Sequence, residues 1–308
     1  MNSLTTLGKV CEKVNQLSRN CVDRMVLVKA ISFNDFSSVN IDGERFPLRN
    51  HAQQGFSYRL GIPHQYLKKC PSEVQAYNLN HWIQKEKNEE LFLRFDGNEV
   101  RAVFTPRYKP VDNFEVLERL DSLGYDQSTS VQCRVDQDFM VLNIPDGSQT
   151  FQVKGERLTP GISISNSEVG IASLSLSAFI LRLVCTNGLI TKTSISASFK
   201  HVSLKIIGRF PEVLAQVSRD VLNTRDQIHI SLESKVDNPI SAMERFNKEF
   251  GVSHLEKEAV EWGWAAEAGN TMFHIINTYT RAAQYEVLSA DSSYKLQKVG
   301  GTILAMIK

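Results

Sequence analysis

The stretch LFLRFDGNEVRAVF, residues 91–104, decides how this chain is read. Two strand-prone runs, 91–95 and 100–104, flank Asp96-Gly97-Asn98. Asp-Gly between such runs predicts a β-hairpin, because the type I′ turn that matches strand twist needs positive φ. Arg94 lies on one predicted strand and Arg101 on the other.

Upstream of the hairpin, helical spacing dominates. Leu4, Leu7, Val10, Val14 and Leu17 fall on one side of a helical wheel, which predicts a helix or two over residues 4–28. Phe56, Leu60, Tyr66 and Leu67 predict short helices around the Gly61-Ile62-Pro63 break, and a further helix containing Trp82 is expected over 72–88. Downstream, Phe114, Leu117 and Leu120 predict a short helix over 113–123, and a second hairpin is expected over 128–144 with its turn near Val135–Asp138. From Ile162 to Ser177 one parity carries mostly aliphatics and the other mostly serines, so extended structure is expected, broken at Gly170. Glu168 falls on the aliphatic parity, where a carboxylate needs a partner.

A last strand-like run is read at 199–206. Pro211 then opens a helix to about Val236, Asn238-Pro239 breaks it, and helices are expected near 239–250, 254–268, 271–287 and 291–307. The fold class is therefore α+β, with N-terminal helices, a central antiparallel sheet rich in β-hairpins, and a helical C-terminal third. By element content the chain divides into a mixed α/β core domain, 1–210, and a helical region, 211–308.

Apolar residues make up 42% of the chain and charged residues 22%, which fits a globular protein with a real core. The net charge of +1 is not that of a strongly basic coat protein. Charge is nonetheless segregated: residues 45–110 carry eleven bases and six acids, residues 111–155 three and eight, and residues 156–210 six and two. Such blocks either build a basic face or disperse over a mixed surface. Five cysteines without CxxC spacing (Cys11, Cys21, Cys70, Cys133 and Cys185) argue against a zinc ribbon or a disulfide framework and for reduced thiols in the cytoplasm. The N-terminus has no apolar signal region, and no apolar run approaches the roughly 18 residues of a membrane span.

Catalytic signatures are missing from the sequence. It holds no phosphate-binding glycine loop, GxGxxG, GxSxG or HExxH, and its seven histidines are scattered singly. Asp136 and Asp138 sit at a predicted turn, which favours a solvated loop over a metal site. No catalytic residue, metal or small-molecule cofactor is therefore assigned.

Three stretches stand out: Arg107-Tyr-Lys-Pro-Val-Asp-Asn113, Asn166-Ser-Glu-Val-Gly170 and Arg182-Leu-Val-Cys-Thr-Asn-Gly-Leu189. Their order and spacing resemble the phage/plasmid-like proteins of the domain-of-unknown-function family numbered 932. The segment Leu60–Leu67 and the helix with Asn277, Thr280 and Arg281 are similar to the same family, so that the resemblance covers most of residues 45–305. The middle of the chain also resembles, in coarse order, the hairpin-rich core of Rad52-like single-strand annealing proteins.

Each motif has a physical reading of its own. Arg107 and Lys109 flank Tyr108 in an extended pre-proline segment, which either places phosphates on the cations and a base on the ring, or is a strand exit with Tyr108 in the core and Arg107 paired to Asp112. Asn187-Gly188 reads as a turn that brings Arg182 and Lys192 together. Glu168 reads as a buried partner of Arg182 or Arg101, or as a general base. His274, Asn277 and Arg281 step along one helix face, either as a packed or solvated stripe or as a contact to a partner.

The resemblance implies a protein of a mobile element acting in replication, recombination or evasion of defence. The leading expectation is a non-enzymatic single-stranded DNA-binding and annealing protein, cytoplasmic and homo-oligomeric. Arg94, Arg101, Arg107, Lys109, Arg182 and Lys192 would take phosphates, with Asn187 beside them and Tyr108 stacking on a base. The alternatives are a protein–protein interaction factor and a nuclease built on Glu168.

Overall fold

The structure, a computed structural model, describes residues 4–182, 187–191 and 210–307. It is α+β, with antiparallel sheets in the first two thirds of the chain and five helices from Phe210 onward. By contact the chain forms two compact units, the larger comprising residues 1–13, 111–166 and 172–308 and the smaller residues 14–110 and 167–171. Element content suggests a cut at residue 210, whereas the contact-defined units interleave along the chain. The strand-like run at 199–206 lies outside the described residues. Among the described residues, no helix is long and apolar enough to cross a membrane.

The larger unit is built around β11 (Glu156–Asn166), which pairs with β12 (Ser175–Arg182) on one side and with β9 (Met140–Pro145) and β10 (Phe151–Val153) on the other. β8 (Ser130–Val135) and β1 (Thr5–Thr6) continue the sheet beyond β9, and β13 (Asn187–Thr191) continues it beyond β12. The serine/aliphatic alternation is explained by the register. Ser163 and Ser165 lie opposite Ser177 and Ser175, while Ile162 and Ile164 lie opposite Ala178 and Leu176. Ser165 Oγ and Ser175 Oγ are 2.7 Å apart and satisfy each other, whereas the buried Ser163 hydroxyl has no hydrogen-bond partner among the described residues. The hairpin expected at 128–144 is β8–β9, and the Asp136 carboxylate closes its turn by accepting the N–H groups of Asp138 and Phe139.

Helices α6 (Phe210–Glu233), α7 (Pro239–Glu249), α8 (His254–Glu267), α9 (Met272–Ala282) and α10 (Ala290–Ala305) complete this unit. Local chemistry sets their starts. Asn238 Oδ1 caps α7 with Pro239 just inside, and Ser253 with Glu256 forms a capping box on α8. Phe273, Ile276, Tyr279, Leu296 and Ile303 share a core with Leu158, Ile180 and Leu189 of the sheet.

Helix α9 stops at Ala282, short of the expected 287, and the carbonyls of the segment that follows it converge on Arg134 of β8. That guanidinium donates to the carbonyl oxygens of Ala283 at 3.2 Å, Tyr285 at 3.1 Å and Glu286 at 2.9 Å, and also to that of Leu288. The last-turn carbonyls of Tyr279, Arg281 and Ala282 accept from the N–H groups of Ala283, Gln284 and Tyr285, and one side chain gathers the carbonyls beyond them.

In the smaller unit, β2 (Cys21–Leu27), β6 (Glu90–Asp96) and β7 (Glu99–Phe104) form one antiparallel sheet, and β3 (Ile31–Ser32), β4 (Ser38–Ile41) and β5 (Glu44–Pro47) form another. The hairpin of residues 91–104 is present as β6–β7; Gly97 takes φ +57° and Asn98 does not share it, so the turn needs only one left-handed residue. The helical expectation for 4–28 holds only for α1 (Leu7–Ser18). Residues 21–27 form a strand because β6 offers them a complete ladder, from Cys21 opposite Asp96 to Leu27 opposite Glu90.

Three helices follow: α2 (Asn50–Arg59), α3 (His64–Lys69) and α4 (Ser72–Ile83). Amide side chains dock α4. Asn80 accepts from Phe33 N at 2.8 Å and donates to Phe33 O at 2.7 Å, while Gln75 accepts from Phe36 N and donates to the carbonyls of Leu67 and Cys70.

Replacing Arg134 by Met is expected to cost about 3 kcal/mol, since several carbonyls lose a charged donor at once. Urea denaturation monitored by far-UV circular dichroism measures it, and an unchanged midpoint would refute the anchoring role of Arg134.

Candidate nucleic-acid interface

Three of the cations assigned to phosphate are interior side chains. In the smaller unit, the side chains of Arg94 on β6 and Arg101 on β7 are each 2% exposed. Arg94 Nε donates to Asp23 Oδ1 at 2.9 Å and Arg94 Nη1 to the Glu168 carbonyl at 3.1 Å. Arg101 Nη1 donates to Glu168 Oε2 at 2.8 Å. Of the two partners the sequence offered Glu168, Arg101 is the one it meets.

In the larger unit, Arg182 on β12 donates through Nε and Nη2 to both oxygens of Glu156, at 2.7 and 2.8 Å, and through Nη1 to Glu267 at 2.8 Å. Its guanidinium also lies 5.3 Å from the Phe273 ring centroid. Arg94, Arg101 and Arg182 therefore do not serve as phosphate contacts in this fold. Withdrawing a guanidinium from a buried carboxylate strands both charges in a low-dielectric interior.

The expected turn at Asn187-Gly188 is also corrected. Both residues lie in β13, opposite Arg182 and Leu181. Lys192 lies outside the described residues. The polar face of α9 is packed rather than offered to a partner. Asn277 is 5% exposed and donates to the Phe273 carbonyl, while Arg281 donates to Gln284 and sits 4.9 Å from the Trp262 centroid.

Arg107, Tyr108 and Lys109 meet the expectation differently. Arg107 and Lys109 are exposed. Tyr108 lies between them and stacks face to face on Phe104 of β7, with centroids 3.7 Å apart and planes 3° from parallel. Phe92 of β6 leans on this pair, 5.8 Å from Tyr108. The stack lines an open cleft of about 1000 Å³ within the smaller unit. Across the cleft α2 presents His51, Gln54, Tyr58 and Arg59, and Val169, Gly170 and Ile171 close a further side. Tyr58 is 90% exposed.

Gly170 is required here. Its φ is +86°, and a Cβ would come within 2.8 Å of the Phe104 ring. Arg59 Nη1 lies 3.2 Å from Glu86 Oε2 on the cleft wall. Burial pushes the Glu86 carboxyl upward, but donors from the Asn88 backbone and side chain and from Arg59 outweigh it and hold the group below the usual carboxylate range. Glu86 is therefore ionised at neutral pH and compensated by Arg59.

Sequence reading missed Tyr58, Arg59 and Glu86. A signal existed: His51, Gln54, Tyr58 and Arg59 recur at helical spacing on the face of α2 opposite Ala52, Phe56 and Leu60, so Tyr58 is an aromatic on the polar side. Of the acidic pair, the Asp136 carboxylate is spent on structure, accepting from the N–H groups of Asp138 and Phe139 and from Ala290 N at the start of α10. Among the described residues no group of three or more His, Cys, Asp or Glu side chains could hold a metal ion.

Replacing Glu168 by Leu is expected to cost about 3–5 kcal/mol, because Arg101 is left charged and unpaired, while R101M/E168L together recover most of that loss. A denaturant double-mutant cycle measures the coupling. Additive losses would show that the two side chains do not act as a pair.

No curated protein and no solved structure matches the chain. Residues 100–306, about two thirds of its length, match the family model described as Domain of unknown function (DUF932), a span that includes Arg101, Phe104, Tyr108, Glu168 and Gly170 but not α2 or α4. The chain belongs to the DUF932 family.

Proposed function

We propose that this chain is a non-enzymatic single-stranded DNA-binding and annealing protein of a phage or plasmid, acting as a homo-oligomer in recombination or replication. The observation that carries the reading is the Phe104–Tyr108 stack in an open cleft, with exposed Arg107 and Lys109 on either side of the tyrosine. A sequence-tolerant single-strand site needs π-surface for the bases and mobile cations for the backbone. Phe104, Tyr108 and Tyr58 provide the first, and Arg107 and Lys109 the second. Arg94, Arg101 and Arg182 have no part in it; each is paired with carboxylates inside its own unit.

A duplex presents its bases edge-on and stacked, so an aromatic cleft favours a strand whose bases are already unpaired. Backbone contacts at the rim leave the bases beyond the cleft free to pair with a complementary strand, which is what annealing requires. Several copies along one strand would raise the local concentration of ordered, unpaired bases.

The test is a fluorescence-anisotropy titration of labelled oligo(dT) across salt concentrations. Binding is expected to weaken with salt, and R107A/K109A to flatten the log–log slope by about 1.4, at about 0.7 per lost phosphate contact on a single strand. No binding at low salt, or an unchanged slope in that variant, would sink the reading. Tyr58→Ala is expected to lose about 1–3 kcal/mol of binding with no change in melting temperature, since the ring is almost wholly in solvent.

A further inference from the structure

Helix α4 turns an aromatic and basic face to solvent. Tyr77 is 71% exposed and Trp82 44%, while His81 and Lys85 are also exposed. Tyr77 and His81 follow at i and i+4 with Trp82 beside His81, and Lys85 stands in the turn just past the helix end. The rings are already ordered against each other. Tyr77 and His81 lie near parallel, 15° apart with centroids at 6.0 Å, and His81 meets Trp82 edge-on at 5.2 Å. Lys85 Nζ stands 4.9 Å from the Trp82 centroid and 2.9 Å from His81 Nε2. Folding leaves large rings in water here although the opposite face of α4, with Leu79 and Ile83, is fully buried.

This face adjoins the cleft. Glu86, whose carboxylate meets Arg59 on the cleft wall, follows Lys85 directly in sequence, and its N–H donates to the Ile83 carbonyl at the end of α4. At the other end of α2, Lys68 Nζ reaches Asn50 Oδ1 at 3.4 Å, next to His51 of the cleft. Exposed cations therefore border the route between cleft and helix face, with Lys69 and Lys87 also exposed.

We infer that the α4 face is the continuation of the nucleic-acid path: a single strand leaving the cleft runs along α4, with bases on Tyr77 and Trp82 and phosphates at Lys85 and its neighbours. The inference rests on the cleft reading given above and deepens it by fixing direction and length. Tyr77 lies six residues before the helix end at Ile83, about 9 Å at 1.5 Å per residue, and with Lys85 just beyond there is room for about three stacked nucleotides at 3.4 Å each. The occupant is a strand and not an apolar helix, because the face carries rings capped by cations with no aliphatic cluster beside them.

Oligonucleotides of two lengths separate the two readings. A (dT)4 fills the cleft alone, whereas a (dT)15 also reaches α4. The full chain is expected to bind (dT)15 more tightly. Y77A/W82A is expected to lose about thirtyfold or more for (dT)15, as two stacking rings are removed, and to bind (dT)4 as the unchanged protein does. Trp82 fluorescence, isolated by difference against Trp82→Phe, should be quenched by (dT)15 and not by (dT)4. If neither oligonucleotide binds, the cleft reading and this one fall together. If (dT)4 binds but Y77A/W82A leaves (dT)15 affinity and quenching unchanged, only the α4 path falls. Light scattering serves as the third arm: a drop in molecular mass for Y77A/W82A without loss of (dT)15 affinity assigns the face to a second copy of the chain and overturns the inference.

Discussion

The smaller unit depends on keeping two guanidinium groups charged in a place without water. Arg94 and Arg101 project from neighbouring strands into the interior, and desolvating each costs several kcal/mol before any partner is counted. Glu168 meets that cost with its carboxylate on Arg101 and its carbonyl on Arg94. It arrives on a five-residue segment, 167–171, that the chain inserts into the smaller unit between two strands of the larger one. The same segment carries Gly170, whose missing side chain lets Phe104 sit where the cleft needs it. Ion pairing and cleft formation are consequences of one insertion.

That coupling explains which part of the site was legible in the sequence. Residues that act through local chemistry could be read: Arg107-Tyr108-Lys109 is a compact cationic–aromatic motif before a proline, and it is exposed beside the cleft. Residues whose role depends on distant partners could be read only in part: the sequence offers Glu168 two partners, of which it meets Arg101, but it does not foreshadow the other ion pairs. Arg94, Arg101 and Arg182 look like Arg107 in one dimension, yet their carboxylates come from 71, 67, 26 and 85 residues away. Charge counted along the sequence therefore overstated the basic surface. Tyr58 and Arg59 escaped for the opposite reason: a single exposed tyrosine on a short helix gains meaning only from the wall that faces it.

The fold shows the same division. The hairpin at 91–104, the β8–β9 hairpin, the serine/aliphatic pair β11–β12 and the C-terminal helices announce themselves through turn residues, period-two alternation, caps and helical spacing. Strand β2 does not. Its local pattern is nearly all exposed, and only the ladder with β6, which follows some seventy residues later, makes it a strand. The path of the segment after α9 likewise depends on Arg134, about 150 residues upstream.

The insertion of residues 167–171 also bears on the order of events at the ribosome. Arg101 emerges 67 residues ahead of Glu168, a lag of about 3–13 s at about 5–20 residues per second. Through that interval the nascent smaller unit holds a guanidinium with no counter-charge, so its hairpin stays hydrated on the inner side and the domain waits open. Closure of the smaller unit belongs to the moment the late segment threads in, while the larger unit still awaits its helices from Phe210 onward.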